Sequence, residues 1–411
     1  MRNKHRMHRR DWLSVASAAG LSQLLGGAVM ASESKATSHG KPPRFKRCVT
    51  LWMEGGPSQF ETFDPKPGVS NGGPLDSVSS RVPGIAFCET LGKLATRADE
   101  MCLLRSVGSQ QGEHQRAAYL LHTGFERIDS FPRPSLASSV AQTGRSWDVP
   151  AAVTLGNLAY GAAFLGPENS PFVVSDLEKA LQTIGRAKGQ TGRLSLVEKL
   201  NGDFQRRSSS MNLRQRSQQI ESTRQLLSSP FAASMNLEQE SEQTRRRYGE
   251  SEFGNRVLAA RRMLESGVRY VEVQMPGWDT HVGNFSAVSR LCERLEPAWL
   301  ALADDLKSNG LWEETLILWM GEFGRTPVIN GQNGRDHFPR SIPVALMGNG
   351  FQGNVVGSTG KDGAVPDDPA HSVADLMFTL MEWLGVDPEQ EYITSFGSPT
   401  TPTDEGRRIP V

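Results

Sequence analysis

The chain has 411 residues, of which 37% are hydrophobic and 22% are charged, a composition typical of a soluble globular protein with one large domain or two smaller ones. Lysine plus arginine and aspartate plus glutamate each total 45, so the net charge gives no reason to expect binding to nucleic acid or to an anionic membrane surface. None of the four cysteines stands in a C-x-x-C spacing, which argues against a zinc–thiolate site and leaves disulfide bonding open.

The N-terminal segment has the pattern of an export signal. It is basic up to Arg9 and Arg10, and an aromatic residue, a leucine and a weakly apolar run rich in small residues follow. This pattern resembles a twin-arginine signal, with cleavage expected after Ala31. The apolar run is too short and too rich in glycine and serine for a stable membrane span. We therefore expect a removed signal over residues 1–31 and a linker over 32–44, the alternative being a disordered basic tail.

Two short apolar runs near the start of the remaining chain are expected to be buried strands. The first, Arg47–Met53, leads into a loop rich in glycine and proline, with Glu54 directly at the strand end. The second, Met101–Val107, leads into a loop and then a helix that begins near His114. A helix N-terminus is a natural anion site, so His114 is a candidate functional residue. A structural role for this histidine is an equal alternative.

The middle of the chain changes in character. A further strand is expected at Ala151–Leu155, and residues 175–247 are rich in charged and polar side chains with few aromatics. We read that region as two or three exposed helices that form an insertion or cap with solvated charged faces. A helix with one apolar face is predicted from Ser251 to Ser266. The main domain is expected to cover 45–390, with a turn-rich tail over 391–411.

The later part of the chain predicts a strand–helix–strand unit. The strands are Val268–Met275 and Thr315–Met320, and a long amphipathic helix lies between them, with apolar residues at intervals of three and four. This order favours parallel strands joined by a right-handed crossover. Ligand-type residues follow both strands, and the carboxyl ends of parallel strands meet at one edge of a sheet.

The residues at these strand ends suggest a metal site. Asp279 and His281 follow the first strand, two positions apart, so in extended backbone both side chains point the same way. Glu322 follows the second strand, and the next loop supplies His337 beside Asp336. A mixed carboxylate–imidazole set suits zinc, manganese or iron better than calcium or magnesium. We expect one or two divalent ions, with zinc or manganese preferred.

Structural alternatives exist for each of these residues. Asp279 could instead cap the following helix, and His281 could pack locally. Arg325, which lies close to Glu322 in sequence, could hold an anionic substrate group with two parallel hydrogen bonds. It could equally form a salt bridge with a nearby carboxylate.

Several motifs spread over about residues 47–385 resemble the DUF1501 family, secreted proteins abundant in planctomycete-type bacteria. The matching stretches are LWMEGGPSQFETFDPKP, HQRAAYLLHTG, YGESEFGNRVLAARRMLESGVRYVEV, GWDTHVGNF, GEFGRTP and GRDHFP. That family is similar to the alkaline phosphatase superfamily, which includes sulfatases and metal-dependent phosphatases. The resemblance implies an α/β fold with a doubly wound, mostly parallel sheet sandwiched by helices, a helical insertion, and a metal site at the strand ends.

Residue by residue, the resemblance implies a particular set of metal ligands. Asp279 and His281 match an aspartate–histidine metal motif after a late strand, and His337 resembles a late metal-binding histidine. Glu54 stands where the superfamily has a metal-binding aspartate at the end of the first strand. Glu322 stands where an Asp-His pair is usual, so one metal position is altered.

The nucleophile of the related sulfatases has no counterpart here. Residues 112–116 read GEHQR where a sulfatase has Cys-x-Pro-Ser-Arg, so no formylglycine can form. The resemblance then implies attack by Ser106, Ser109 or water, with His114 as acid, base or extra ligand and Arg325 holding the anion. The predicted function is an exported, metal-dependent hydrolase of phosphate or sulfate esters on small molecules or polysaccharides. The alternative is a non-catalytic relative that binds an anionic glycan in the same pocket.

Overall fold

A computed structural model describes residues 42–144, 149–188, 229–363, 371–394 and 397–411 of the chain. The strands form one large sheet and three small two-stranded sheets. In chain order they are β1 Arg47–Glu54, β2 Ser77–Ser79, β3 Ala86–Cys88, β4 Met101–Gly108, β5 Ala152–Leu155, β6 Phe172–Val174, β7 Tyr270–Pro276, β8 Thr315–Met320, β9 Gly324–Arg325, β10 His337–Phe338, β11 Ile342–Met347, β12 Asn354–Val356, β13 His371–Ser372, β14 Tyr392–Ile393 and β15 Pro399–Thr400.

Helices lie between the strands throughout the described chain. The longest covers 25 residues and begins after the loop that carries Asp279 and His281. In chain order the α-helices are α1 Gly92–Ala95, α2 His114–Thr123, α3 Leu136–Thr143, α4 Leu177–Lys188, α5 Pro230–Ser234, α6 Glu242–Arg247, α7 Glu252–Glu265, α8 Asn284–Ser308 and α9 Val373–Trp383.

The large sheet is mixed but mostly parallel. Its order is β12-β4-β11-β8-β1-β7-β5-β6, with β13 also paired to β4. Among these strands β11 runs antiparallel to its neighbours, and the other pairings are parallel. β7 and β8 lie on either side of β1, both parallel to it, as the predicted strand–helix–strand unit requires. The predicted α/β sheet is therefore confirmed.

Both faces of the sheet are covered by helices, which explains the continuous apolar character of the central strands. Alternate residues of β1 point to opposite faces: Val49 and Leu51 pack in one buried cluster with α7 and α8. Cys48 and Trp52 pack in a second cluster with α2, α3 and α9. This two-sided packing is the sandwich of helices that the family resemblance implies.

The polar middle region lies partly outside the described residues, since 189–228 are not among them. The described remainder contributes to the core, because Phe231 and Met235 around α5 are buried in the same cluster as α7. The signal expected over 1–31 also lies outside the described residues, so it and the other predicted boundaries stay predictions. Within the described chain, no helix combines the length and the apolar character needed to cross a bilayer.

The carboxyl ends of β1, β7 and β8 bring three loops into close contact. Glu54 lies opposite Pro276 in the register of β1 and β7, so the loops begin side by side. Gly55 has a φ of +116°, and a Cβ there would lie 2.3 Å from the backbone nitrogen of Asp279. Only glycine permits this conformation and this approach, and it sets Asp279 against the end of β1.

Candidate metal centre

Asp279 is the central residue of a cluster built by the loops after β7, β8 and β9, by β10 and by the start of α2. Its Oδ1 atom lies 2.7 Å from Nη2 of Arg325 and 3.1 Å from Nε2 of His281. The same oxygen lies 3.2 Å from Nε2 of His337, and Oδ2 lies 3.4 Å from Nε2 of His114. The structure thus brings together residues far apart in sequence, such as His114 and Glu322, which are separated by 208 positions.

Each of the three imidazoles in the cluster has its Nδ1 atom against an oxygen acceptor. A neutral imidazole carries one proton, so these contacts place it on Nδ1 and leave the lone pair on Nε2. The three Nε2 atoms are those that lie near Asp279. The Nδ1 pairs are His114 with Glu322 at 2.9 Å, His281 with Asp336 at 2.7 Å, and His337 with the carbonyl oxygen of Gly112 at 2.7 Å.

This arrangement of donors and acceptors fits a bound cation. The Nε2 atoms of His281 and His337 lie 2.9 Å apart, and two lone pairs at that distance repel each other. A cation between the rings would turn this repulsion into shared coordination. Donor atoms of His114, Asp279 and His337 all lie within 4.8 Å of one another and form a group that could hold a metal ion.

Glu322 adds a buried negative charge beside the cluster. The residue is 2% exposed, and its Oε1 accepts a hydrogen bond from the amide of Gly55 at 2.8 Å and also contacts His114. Its second oxygen, Oε2, has no hydrogen-bond partner among the described residues. A buried carboxylate oxygen without a partner is costly, and a cation at this place would satisfy it.

The protonation states of two cluster residues suit metal binding. Partial burial acts to raise the pKa of Asp279, but hydrogen bonds and charge from Arg325, then from His337, outweigh it and lower that pKa to about 2. Burial lowers the pKa of His337, which favours its neutral form. An ionised carboxylate and a neutral imidazole are the forms that bind metals.

Arg325 is part of the frame that holds the cluster. It is 0% exposed, Nε donates to the carbonyl of Gly56 at 2.9 Å, and Nη1 donates to that of Arg335 at 3.1 Å. Nη2 donates to Asp279 and to the carbonyls of Gly55 and Trp278. Of the two sequence-based interpretations, the salt bridge is the one present. Because all three guanidinium nitrogens already donate hydrogen bonds within the protein, Arg325 is not available to bind an anionic substrate group. The expectation that it holds the substrate anion is therefore corrected.

Asp279 and His281 do not have the structural roles given as alternatives. The N-cap of α8 is Gly283, without a side-chain cap, so Asp279 does not cap that helix. The ring of His281 lies 4.7 Å from that of His337, far along the chain. His281 also contacts Asp336, the neighbour of His337 in the chain, which was not among the predicted ligands. The adjacent pair Asp336-His337 was the sequence signal that could have indicated this role.

The N-terminus of α2 is not an open anion site. The Glu113 side chain is its N-cap and accepts hydrogen bonds from the amides of Gln115 at 3.1 Å and Arg116 at 3.0 Å. These bonds lower the pKa of Glu113, so a carboxylate from the chain itself occupies the position. The expectation of a free anion site at this helix is therefore wrong, although His114, the first residue of α2, does reach the cluster.

Two predicted site residues lie outside the cluster. Glu54 ends β1 and has no side-chain hydrogen bond within the described chain; partial burial, and then the charge of Glu322, raise its pKa. Ser109 follows β4, and its amide donates to the carbonyl of Pro339 at 2.8 Å. The Ser109 hydroxyl accepts from the amide of Gln111 at 3.2 Å, and no described contact joins it to the cluster.

The sequence profile of one protein family matches nearly all of the described chain. It is described as "Protein of unknown function (DUF1501)" and matches residues 45–410. No protein with a curated description matches the chain at a significant level.

Solved structures resemble the chain at low identity. They include a sulfatase from a Pseudoalteromonas species, 12% identical over 93% of this chain and 73% of its own, with a TM-score of 0.37. A protein of the alkaline phosphatase superfamily from Vibrio parahaemolyticus is 12% identical over 93% of this chain and 76% of its own, with a TM-score of 0.38. A mutant TAB5 alkaline phosphatase with bound magnesium is 11% identical over 84% of this chain and 99% of its own, with a TM-score of 0.36. At these values the resemblances define neither the activity nor the substrate of this chain.

Proposed function

We propose that this chain, which belongs to the DUF1501 family of proteins of unknown function, is a metal-dependent hydrolase of phosphate or sulfate esters. The observation that supports this proposal most directly is the convergence of three imidazole Nε2 atoms on the carboxylate of Asp279, with every Nδ1 held by an acceptor. Histidine ligands in metalloproteins characteristically donate their second nitrogen to such partners.

In this proposal Asp279, His281 and His337 hold the ion, with His114 as a further ligand or as the acid or base. A divalent metal supplies Lewis-acid polarisation of the ester oxygen when bound. Glu322 orients the ring of His114 through Nδ1 and contributes the negative charge that a divalent cation requires. Zinc or manganese is the preferred ion, because the ligand set combines imidazole and carboxylate.

The chain's other residues have supporting roles. Arg325 keeps Asp279 ionised and in place, so that the carboxylate remains a ligand rather than a proton acceptor. The rings of His114, His281 and the carboxylate of Asp279 are about two-fifths exposed, which leaves an open side for a substrate. Ser109 is the proposed side-chain nucleophile. Its hydroxyl is the acceptor in the one hydrogen bond described for it, so its proton is free to be donated to a base. Glu54 is proposed as a ligand of a second ion, next to Glu322.

The proposal includes export, since Arg9 and Arg10 begin a signal-like segment, and an ester substrate that is a small molecule or a polysaccharide. A second candidate function is the binding of an anionic glycan without hydrolysis. It is favoured by one observation: among the described residues, no serine, threonine or cysteine side chain hydrogen-bonds to a side chain of the cluster. An activated nucleophile is normally within hydrogen-bond reach of its base.

Elemental analysis of the purified protein, combined with turnover of aryl phosphate and aryl sulfate esters, tests the two functions together. The hydrolase proposal expects bound metal and turnover that are lost together in Asp279→Asn. The matched control is Asp305→Asn, which removes another arginine-paired carboxylate, on α8 and away from the cluster. Metal without turnover on any ester, together with binding of a sulfated glycan, would favour the second function. A wild-type protein that retains no divalent metal would refute the hydrolase proposal.

A further inference from the structure

A buried ion pair holds the loop between β9 and β10 just before Asp336 and His337, and it lies outside the cluster itself. Arg335 is 0% exposed and Glu61 is 1% exposed. Nη2 of Arg335 lies 2.8 Å from Oε1 of Glu61, and Nε lies 3.1 and 3.2 Å from the two carboxylate oxygens. The pair joins the loop after β1 to the loop between β9 and β10, which are 274 residues apart in sequence.

The guanidinium of Arg335 also binds the backbone of both loops. Nη1 donates to the carbonyl oxygens of Thr326 at 3.0 Å and Pro327 at 2.6 Å. Nη2 donates to the carbonyl of Asn71 at 2.8 Å, and the group lies 4.2 Å over the ring of Phe60. Thr326 and Pro327 lie in an irregular segment and Asn71 lies in a single 3-10 turn, so the buried guanidinium supplies hydrogen bonds that regular secondary structure does not.

The backbone of Arg335 continues the connection towards the cluster. Its amide donates to the carbonyl of Thr280 at 3.2 Å, and its carbonyl accepts from Nη1 of Arg325 at 3.1 Å. A Cβ on the preceding Gly334 would lie 1.7 Å from the carbonyl oxygen of His281, so this loop and the loop after β7 are packed backbone to backbone. Arg335 therefore contacts the loop that carries Asp279 and His281, and it lies in the loop that leads to His337.

A buried ion pair is seldom the cheapest way to stabilise a fold, because desolvating both charges offsets most of their attraction. What such a pair does provide is a defined geometry, since a fork of donors fits only one arrangement of acceptors. Here that arrangement determines where the next two residues of the chain, Asp336 and His337, must lie. Asp336 in turn holds Nδ1 of His281.

We infer that Glu61 and Arg335 are positioning residues for the metal centre, which hold Asp336 and His337 in the geometry that the ligand set requires. This inference rests on the proposed function for its metal, but the ordering of the loop does not depend on a metal. Neither residue contacts the ion; each acts through the backbone of the loop between β9 and β10.

The first test is Glu61→Gln, with Asp305→Asn as the matched control. Both changes remove one buried carboxylate charge that faces an arginine, but Asp305 pairs with Arg247 and Tyr248 away from the cluster. The dissociation constant for Zn²⁺ should rise about 10-fold or more in Glu61→Gln, as for other residues that orient ligands, and stay within about 2-fold in the control. The visible absorption of bound Co²⁺, which reports ligand geometry, should change only in Glu61→Gln.

A second variant separates positioning from stability. The double substitution Glu61→Leu with Arg335→Met removes both charges and keeps an apolar volume, which often restores the stability lost when one partner of a buried pair is removed. Its Zn²⁺ affinity should remain weakened, because the carbonyls of Thr326 and Pro327 have lost their donor. A double variant that binds Zn²⁺ as the wild type does would overturn the inference.

Amide hydrogen exchange of the metal-free protein gives a measurement that needs no ion. Exchange over residues 326–340 should be faster in Glu61→Gln than in the wild type, and unchanged there in Asp305→Asn. Unchanged exchange in Glu61→Gln would overturn the inference whether or not the protein binds metal. Faster exchange in a chain whose wild type binds no metal would support the ordering role and refute the proposed function separately.

Discussion

The Nε2 atoms of His281 and His337 face each other at 2.9 Å, while Nδ1 of His281 is held by Asp336 and Nδ1 of His337 by the carbonyl of Gly112. Two neutral imidazoles cannot hydrogen-bond in this way, because each has its only proton on the opposite nitrogen. The contact is favourable when one ring is protonated or when both nitrogens share a cation.

His281→Ala should lower bound zinc and any hydrolytic activity together while leaving the fold intact. The ring is 40% exposed, so its removal should cost no more than about 1 kcal/mol of unfolding free energy. Elemental analysis and urea unfolding of the same preparation measure both effects. His371→Ala, at the start of β13, is the control for loss of a histidine elsewhere. A loss of stability with unchanged metal content would instead identify His281 as a packing residue.

Glu322→Gln should weaken metal binding without removing the hydrogen bonds that the side chain makes. Glutamine keeps an acceptor for the amide of Gly55, but it lacks the negative charge of the carboxylate, whose second oxygen is buried without a partner among the described residues. We expect metal affinity to fall about 10–100-fold, measured by competition with a chelator. The control is Glu296→Gln, because Glu296 is also buried and accepts two backbone hydrogen bonds, from Lys93 and Leu94. Equal effects of the two changes on metal affinity would contradict a role for Glu322.

Ser109→Ala should abolish ester turnover and leave metal content unchanged, if the serine is the attacking group. Removing a catalytic nucleophile typically costs about a thousandfold or more in rate. Single-turnover kinetics with an aryl ester measure the effect, and Ser106→Ala is the comparison, since the fully buried Ser106 was the other candidate hydroxyl. Full activity in both Ser109→Ala and Ser106→Ala would leave water as the nucleophile.

Stability should depend on pH through a buried pair formed by His122 and Glu272. Nδ1 of His122 lies 2.6 Å from the carbonyl of Ala118 and Nε2 lies 3.0 Å from Glu272, so both nitrogens face acceptors, which favours the protonated ring. Burial acts to lower the pKa of His122, but the charge and hydrogen bond of Glu272 outweigh it and raise that pKa above the ordinary 6.5. The pair therefore stabilises the fold fully below 6.5, and this contribution is lost as the pH rises through the raised pKa.

Glu272→Gln tests that pH dependence. Breaking a buried pair typically costs about 3–5 kcal/mol, so the variant should be less stable by roughly that amount at pH ~6. Urea unfolding of both proteins at increasing pH should show the difference shrinking, because the wild type loses its imidazolium. Metal content should be unchanged, since neither residue belongs to the cluster. A difference that stays constant with pH would mean that His122 is neutral in the fold.

Export is tested by replacing Arg9 and Arg10 together with lysine. The twin-arginine pattern predicts that this precursor stays in the cytoplasm, because lysine keeps the charge but not the guanidinium pair. Cell fractionation with detection of the unprocessed chain measures the outcome. Normal export of the double variant would exclude the twin-arginine route but not another route.

The strands and the edge of the sheet at which the site lies could be predicted from the sequence. The run RCVTLWME is apolar because β1 is covered on both faces, and Gly267 and Gly310 end the helices before the next strands. Asp279 and His281 could be placed together because both follow one strand and lie two positions apart. These inferences rest on local periodicity and on the geometry of parallel strands, which a sequence carries directly.

Which residues far apart in sequence contact each other was decided only by the tertiary structure. Whether Arg325 meets a substrate or Asp279 depended on its burial, which pattern alone does not reveal. The free amides at the start of α2 bind the side chain of Glu113 and not an external anion, because a carboxylate at the N-cap competes locally for them. The pair of Glu61 and Arg335 joins loops 274 residues apart, and no periodicity predicts such a contact. Sequence specifies which groups reach the edge of the sheet, whereas only the packing of the loops determines which of them face each other.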